Sequence, residues 1–265
     1  MDVDSAELLR LAVTVAREAA GMLVEGQSGA SVVLTKSSPT DVVTEMDNAA
    51  DALISRRLLD ARPGDALLTE ESGESSGGSG VRWVVDPIDG TVNYLYGMAD
   101  WAVSIAAEVD GVTVAGVVEA PRRGETYTGV RGQGAWRNGE AVACNKDTPL
   151  DKALVGTGFG YAAGRRARQA EVLAGVLPKI RDIRRGGSAA LDLCAVACGR
   201  LDAYYERGVH AWDIGAAGLI AEEAGARLGG LDGAPASPEM TIGAAEPLFG
   251  ALHGLLSGLD PARDT

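Results

Sequence analysis

The run Arg82-Trp83-Val84-Val85-Asp86-Pro87-Ile88-Asp89-Gly90-Thr91 constrains this chain more than any other stretch. Its apolar, β-branched start reads as a short buried strand. The strand then meets two carboxylates with a proline between them, followed by a glycine and a hydroxyl residue. Pro87 has no N–H and a fixed φ, which predicts that strand pairing stops there. Asp86 and Asp89 would then project from a strand end and a turn. Two like charges held this close need a counter-charge, and a divalent metal with oxygen ligands supplies one. Val92-Asn93-Tyr94-Leu95 can open a helix. Gly90 and Thr91 then fall where free backbone N–H groups suit a phosphate. An ordinary Asp-Pro turn with an aspartate N-cap accounts for the same residues without chemistry, and a short motif needs its structural context to decide.

Other segments stand in line with this one. Upstream are Lys36-Ser37-Ser38-Pro39-Thr40-Asp41-Val42-Val43-Thr44, then Asp47, and the Glu-Glu loop Thr69-Glu70-Glu71-Ser72. Downstream is Trp212-Asp213-Ile214-Gly215-Ala216, continued by Glu222, Ala224 and Gly225. Together with Asp-Pro-Ile-Asp-Gly-Thr behind Trp-Val-Val, their order and spacing resemble the inositol monophosphatase family, from the first helix to about residue 245. Members are Mg-dependent, lithium-sensitive phosphomonoesterases. The resemblance implies an α/β sugar-phosphatase fold in α-β-α-β-α layers, and a homodimer.

At 265 residues the chain can bury a full core, as one large domain or two small ones sharing an interface. Its net charge is −13, from 37 acidic and 24 basic residues. That argues against nucleic acid or an anionic membrane as the main partner, since both need basic patches. No apolar run reaches the length of a membrane span. The acidic start Met1-Asp2-Val3-Asp4 is unlike a secretory signal. Cys144, Cys194 and Cys198 cannot all pair within one chain, which with the missing signal predicts a reducing cytoplasm. Cys194 and Cys198 could be a metal pair on a helix, but with only His210 and His253 in the chain, small buried residues are the better reading.

Asp4 with Glu7 reads as a capping box; Leu8, Ala12, Val15, Ala19 and Met22 mark a helix face that Gly26 can end. Val32-Val33-Leu34 is a candidate strand. Thr44 can cap a second helix with Asp47 in its first turn, so capping alone explains Asp47. Leu53, Leu58 and Leu59 suit that helix's buried side. A strand over 66–69 delivers Glu70 and Glu71. The Gly/Ser-rich stretch 72–80 predicts a mobile loop at the edge of the site. Asp110-Gly111 and Asn138-Gly139 predict tight turns, so the first half mixes helices with a largely antiparallel sheet. Beyond Pro149, strands near 153–157, 180–184 and 201–205 alternate with helices near 165–177, 188–198 and 213–224. That alternation predicts an α/β second half. The division falls near residue 145: an α+β unit over 1–145 with the Glu-Glu loop and aspartate motif, and an α/β unit over 146–265 with the polyol and Trp-Asp motifs.

Phosphate-ester hydrolysis needs negative charge neutralised, a water deprotonated and a leaving alkoxide stabilised, and paired metal ions can do all three. The resemblance implies that Glu70, Asp86 and the Ile88 carbonyl hold a first Mg2+. Asp86, Asp89 and Asp213 hold a second, and a third, weaker ion sits at Glu70. It implies that Glu70 and Thr91 orient the attacking water, with Asp47 accepting from Thr91. The N–H groups of Gly90 and Thr91 hold the phosphate. Polyol contacts come from Asp89, Gly187, Ser188, Ala189 and Glu206, with Ser188 at a position where threonine is common in the family. Taken alone, Glu206 reads equally as a surface glutamate, Lys36 as a solvated lysine and His210 as structural. The implied activity is Mg-dependent hydrolysis of inositol monophosphate. Histidinol phosphate, 3′-phosphoadenosine 5′-phosphate and fructose 1,6-bisphosphate are rival substrates for the same chemistry. A non-enzymatic regulatory binding protein is the rival of another class; against it, every expected ligand position is filled.

Overall fold

The computed structural model describes residues 4–36, 38 and 41–263. Met1, Asp2 and Val3 of the acidic start, and Ser37, Pro39 and Thr40 of the expected entry loop, lie outside the described residues. Helix α1 (Ser5–Gly26) begins where the Asp4 carboxylate accepts from the Ala6 N–H at 2.9 Å. Its buried stripe runs through Leu8, Ala12, Val15, Ala19 and Leu23, so Leu23 rather than Met22 closes it. Gly26 does not end the helix by a left-handed turn, since its φ is −79°. A Cβ there would meet the end of the Met46 side chain, so the glycine leaves that side chain its room.

Strands β1 (Val32–Thr35) and β2 (Val42–Thr44) form an antiparallel pair leading into α2 (Glu45–Ala61). Thr44 caps α2 as expected, and Asp47 returns the bond by accepting from the Thr44 N–H at 2.8 Å. Ile54 and Leu58 are fully buried on α2, whereas Leu53 and Leu59 are only half-buried.

Eight strands make the first sheet: β3 (Ala66–Thr69), β4 (Gly73–Ser75), β5 (Val81–Asp89), then after the short α3 (Thr91–Leu95), β6 (Ala102–Val109), β7 (Val112–Ala120), β8 (Glu125–Val130), β9 (Gly134–Arg137) and β10 (Glu140–Ala141). The order is β10-β9-β8-β7-β6-β5-β3-β4, antiparallel except for the β3–β5 pair. Asp110-Gly111 and Asn138-Gly139 turn its hairpins with positive φ at all four residues, the geometry that two-residue hairpin loops demand. The stretch 72–80 is not wholly a loop, because β4 pairs with β3 at the sheet edge.

The second sheet contains β11 (Leu154–Thr157), β12 (Asp182–Arg184), β13 (Ala203–Glu206), β14 (Arg227–Gly229) and β15 (Thr241–Ala244), in the order β12-β11-β13-β15-β14. Helices α4 (Ala163–Val176), α5 (Ala189–Ala197), α6 (Ala211–Glu223) and α7 (Leu248–Ser257) complete the chain. Three apolar cores fix the layers. α1 and α2 cover one face of the first sheet through Leu8, Ile54, Trp83, Val85 and Ile105. α5 and α6 fill the space between the sheets through Val84, Ala106, Leu193, Ala217 and Tyr204. α4 and α7 close the far face through Val155, Val172, Phe249 and Leu252. The α-β-α-β-α order expected from the resemblance is the one the chain adopts.

Candidate active site

The site begins with a parity problem in β5. Side chains alternate along a strand, so residues three apart face opposite ways. Trp83 and Val85 enter the α1/α2 core, while Val84 enters the core between the sheets. Pro87 does not stop the strand, as the sequence reading expected; it opens a bulge. Asp86 pairs with Ser104 and Asp89 with Ala102, leaving Pro87 and Ile88 opposite the single residue Val103. The missing N–H of proline is harmless in a bulge, where one residue is unpaired in any case. The extra residue resets the alternation: Ile88 turns into the α1/α2 core, and both aspartates face α5 and α6.

Asp213 comes from the first turn of α6. That helix lies so close on the first sheet that a Cβ at Gly116 would reach the Ala216 Cα at 2.8 Å. Oxygens of Asp86, Asp89 and Asp213 all lie within 4.8 Å of one another. Each carboxylate is anchored by a backbone N–H: Ile88 donates to Asp86 at 3.0 Å, Ala190 to Asp89 at 2.7 Å and His210 to Asp213 at 2.5 Å. Burial pushes the Asp86 carboxyl well above its usual range, and the charges of Glu70, Asp89 and Asp213 push it further. Burial likewise drives Asp89 up to about 6, against the hydrogen bonds from Ser188 and Ala190. Asp213 is raised well above the usual range by burial and then by Asp89 and Glu70. A largely buried, oxygen-only, like-charged set of this kind fits a hard divalent cation.

Glu70 follows β3, its N–H bonded to the Val85 carbonyl at 3.1 Å. The Lys36 ammonium lies 2.8 Å from Glu70 and 2.6 Å from Glu71, so Lys36 is not a merely solvated lysine. Burial draws the Lys36 pKa down, but the two glutamates outweigh it and the net direction is up. Burial lifts Glu71 to about 7 in spite of Lys36. Thr91 holds its hydroxyl 3.1 Å from both Asp47 Oδ1 and the Ile88 carbonyl. Asp47, raised by burial against the bonds it receives from Thr44 and Thr91, therefore both caps α2 and reaches the site. Gly90 caps α3 with φ of 98°, and a Cβ there would meet the Asp100 carbonyl at 2.9 Å.

Ser188 caps α5 and donates to Asp89 at 2.5 Å, tying the polyol segment to the aspartate motif. Glu206 ends β13, accepts from the Tyr204 hydroxyl at 2.8 Å and is lifted by burial to about 7. Asp192, on α5, is pushed by burial and by the charges of Glu206 and Asp89 up to about 8. Glu70, Asp86, Asp89, Thr91, Gly187, Glu206 and Asp213 line one cleft of about 620 Å3, whereas Asp47, Glu71, Ser188 and Asp192 are not among its lining residues. None of the residues 72–80 lines it. His210 stacks on Trp212 with ring centroids 4.8 Å apart. The cysteines are free, and Cys144 and Cys194 are buried.

The sequence reading missed Asn93. Its amide donates to the Asp100 carbonyl at 2.6 Å and to the Gly186 carbonyl at 2.9 Å, clasping α3 to the loop before α5. An asparagine one residue into an apolar helix start was the available signal. Also missed were Arg165 and Arg185, which line the cleft.

The layers define the class: this is the sugar-phosphatase fold. A solved structure of Mycobacterium tuberculosis SuhB superposes with a TM-score of 0.84 at 42% identity, over 99% of this chain and 100% of that one. The chain belongs to the inositol monophosphatase family, a family of phosphatases whose model matches residues 4–258. A Mycobacterium bovis protein named inositol-1-monophosphatase is 46% identical over 254 residues, 89% of this chain and 86% of that protein. An Escherichia coli relative named Nus factor SuhB is 38% identical over 221 residues, 82% of this chain and 83% of that protein. Among the described residues, no helix is long and apolar enough to cross a membrane.

Proposed function

We propose that this protein hydrolyses inositol monophosphate to inositol and phosphate with Mg2+ as cofactor. The observation that carries the reading is the Asp86–Asp89–Asp213 cluster in a cleft that Glu206 also lines. Glu70, Asp86 and the Ile88 carbonyl would hold one ion, and Asp86, Asp89 and Asp213 a second, with a third, weaker position at Glu70. When bound, Mg2+ neutralises charge on the phosphate ester and makes water a stronger acid.

The chain's own residues supply the rest. The Thr91 hydroxyl, held between Asp47 and Ile88, can donate to Asp47 and present its lone pairs to a water. Glu70 faces the same water, and the N–H groups of Gly90 and Thr91 take phosphate oxygens at the start of α3. Glu206, with Gly187, Ser188 and Ala189, orients the ring hydroxyls. We place the enzyme in the cytoplasm as a homodimer, in keeping with its family.

The relative named Nus factor supports a second reading, in which the chain also docks on other macromolecules as a regulator. The two are compatible, but regulation alone gives no reason for three carboxylates, two buried and one half-buried, to be gathered at a cleft.

The test is phosphate release at fixed Mg2+ from inositol 1-phosphate, histidinol phosphate, 3′-phosphoadenosine 5′-phosphate and fructose 1,6-bisphosphate. Inositol 1-phosphate should be turned over with chelator abolishing the reaction. Full activity in excess chelator would remove metal catalysis, and inertness toward every ester would leave the regulator.

A further inference from the structure

We propose that Gly158 and Gln169 are positioning residues that set where the Glu206 carboxylate stands in the cleft, and through it how strictly the enzyme selects a ring polyol. The inference rests on the reading in which Glu206 orients the ring hydroxyls.

The first observation is where two strands end. β11 and β13 lie side by side and parallel, with Thr157 opposite Tyr205. The Thr157 hydroxyl donates to the Tyr205 carbonyl at 2.8 Å, and the register of the pair stops there. The next residues, Gly158 and Glu206, leave at the carboxyl ends of the strands, the side of an α/β sheet on which ligands are bound. Gly158, Gly160, Glu206 and Arg207 all line the cleft. With the ladder finished, other groups must hold these two segments against each other.

The second is the space at Gly158. Its backbone is not left-handed, so conformation does not call for glycine there. Space does: a Cβ on Gly158 would fall on the Glu206 carboxylate, meeting both of its oxygens and its Cδ. The carboxylate therefore lies flat over the Gly158 backbone. The Tyr204 hydroxyl, two residues back on the same face of β13, donates to it at 2.8 Å. One contact holds the carboxylate along its own strand, and the other seats it on the neighbouring chain.

The third is a buried amide behind that seat. Gln169 stands on the buried stripe of α4 with Val172 and Val176, a spacing that calls for an apolar side chain. Burying an amide is costly unless its oxygen and its nitrogen both find partners. Here both do. Gln169 Oε1 accepts from the Gly160 N–H at 2.8 Å. Its Nε2 donates to the Arg207 carbonyl at 3.2 Å and, at 3.5 Å, to the Gly158 carbonyl. One side chain thus ties the exit of β11 to the exit of β13, directly beside Glu206. Gln169 does not itself line the cleft, so any influence on substrate runs through the backbone that it holds.

The test compares kcat/KM on inositol 1-phosphate with kcat/KM on glycerol 2-phosphate, which lacks a ring. It is run on the wild type, Glu206→Gln, Gly158→Ala, Gln169→Leu and the double variant of Gly158→Ala with Glu206→Gln. The ratio of the two substrates is taken within one protein sample, so loss of folded enzyme does not alter it. Gly158→Ala should lower the ratio by about tenfold, as Glu206→Gln should, chiefly by raising KM for inositol 1-phosphate. Gln169→Leu should lower it in the same direction by about threefold. In the Glu206→Gln background, Gly158→Ala should change the ratio by less than about twofold, because no carboxylate is left to displace. A ratio that Glu206→Gln lowers but that either single variant leaves unchanged overturns the positioning role and leaves the reading of Glu206 standing. Full additivity in the double variant does the same. A ratio unmoved by Glu206→Gln itself overturns both.

Discussion

Two parts of the cleft wall are built in opposite ways. At the aspartate cluster, Asp86, Asp89 and Asp213 are short side chains, each pinned by a backbone N–H, and they crowd negative charge in a largely buried space. Elsewhere on the wall, Arg165 and Arg185 are long, exposed side chains seated against glycines. The cluster is fixed by backbone: a bulge in β5, the capped start of α5 and the first turn of α6. The difference teaches that one scaffold can hold short side chains rigid by backbone while long side chains on the same wall stay adjustable.

The hardest way to break this contrast is Asp89→Asn. A single oxygen of Asp89 accepts from both Ser188 and Ala190, and the asparagine amide keeps such an oxygen. The fold should therefore survive while turnover falls by about 10²–10³-fold, the scale on which one preorganised charge-stabilising group acts. Phosphate release and a melting curve check both halves. Near-wild-type turnover in a folded variant would show that the aspartate cluster does not hold the metal.

A smaller effect should come from Glu206→Gln, which sharpens the boundary between the two parts. Losing a carboxylate acceptor for ring hydroxyls should lower kcat/KM on inositol 1-phosphate by about tenfold or more. Glycerol 2-phosphate, which lacks a ring, should be affected much less. An equal loss on both would assign Glu206 to the architecture of the aspartate cluster, and a selective loss on histidinol phosphate would move the assignment to that amine.

The smallest effect is on stability, and it separates parts of the wall by pH. Asp89 at about 6, Glu206 at about 7 and Asp192 at about 8 are all raised by burial above the usual carboxylate range. Between the unfolded and folded pKa values the native state holds more protons, so stability is lost as pH rises. In chelator, the melting temperature should fall from pH 5 toward pH 8. Saturating Mg2+ should cancel the share from the aspartate cluster, because the ion competes with protons there. It should leave the share from Glu206 and Asp192. Scanning calorimetry across that range decides; a melting temperature that climbs with pH in chelator would contradict the pairing of burial with repulsion.

What could be read in the sequence was what local rules govern. Thr44 and Ser188 as caps, Asp110-Gly111 as a turn and the buried start of β5 follow from neighbouring residues, and each stands where expected. The aspartates were legible because their spacing matched a known pattern. The bulge was not, since Pro87 reads as a stop when the partner strand is unseen. Helix α7 was missed because Gly250 and Gly254 weaken its propensity, yet Leu248, Phe249, Leu252 and Leu256 are buried, and packing overrides propensity. Strands β14 and β15 are short and draw their identity from pairing with each other and with β13. Asn93, Arg165 and Arg185 are single residues whose surroundings come from distant parts of the chain.

The bulge in β5 also acts as a check on assembly. If β5 slid by one residue against β6, every side chain would change faces. Asp86 and Asp89 would then enter the apolar space that Trp83, Val85 and Ile88 fill beneath α1 and α2. Burying an unpaired carboxylate is among the costliest errors a chain can make. The carboxylates gathered at the cleft thus also penalise a first sheet assembled one residue out of step.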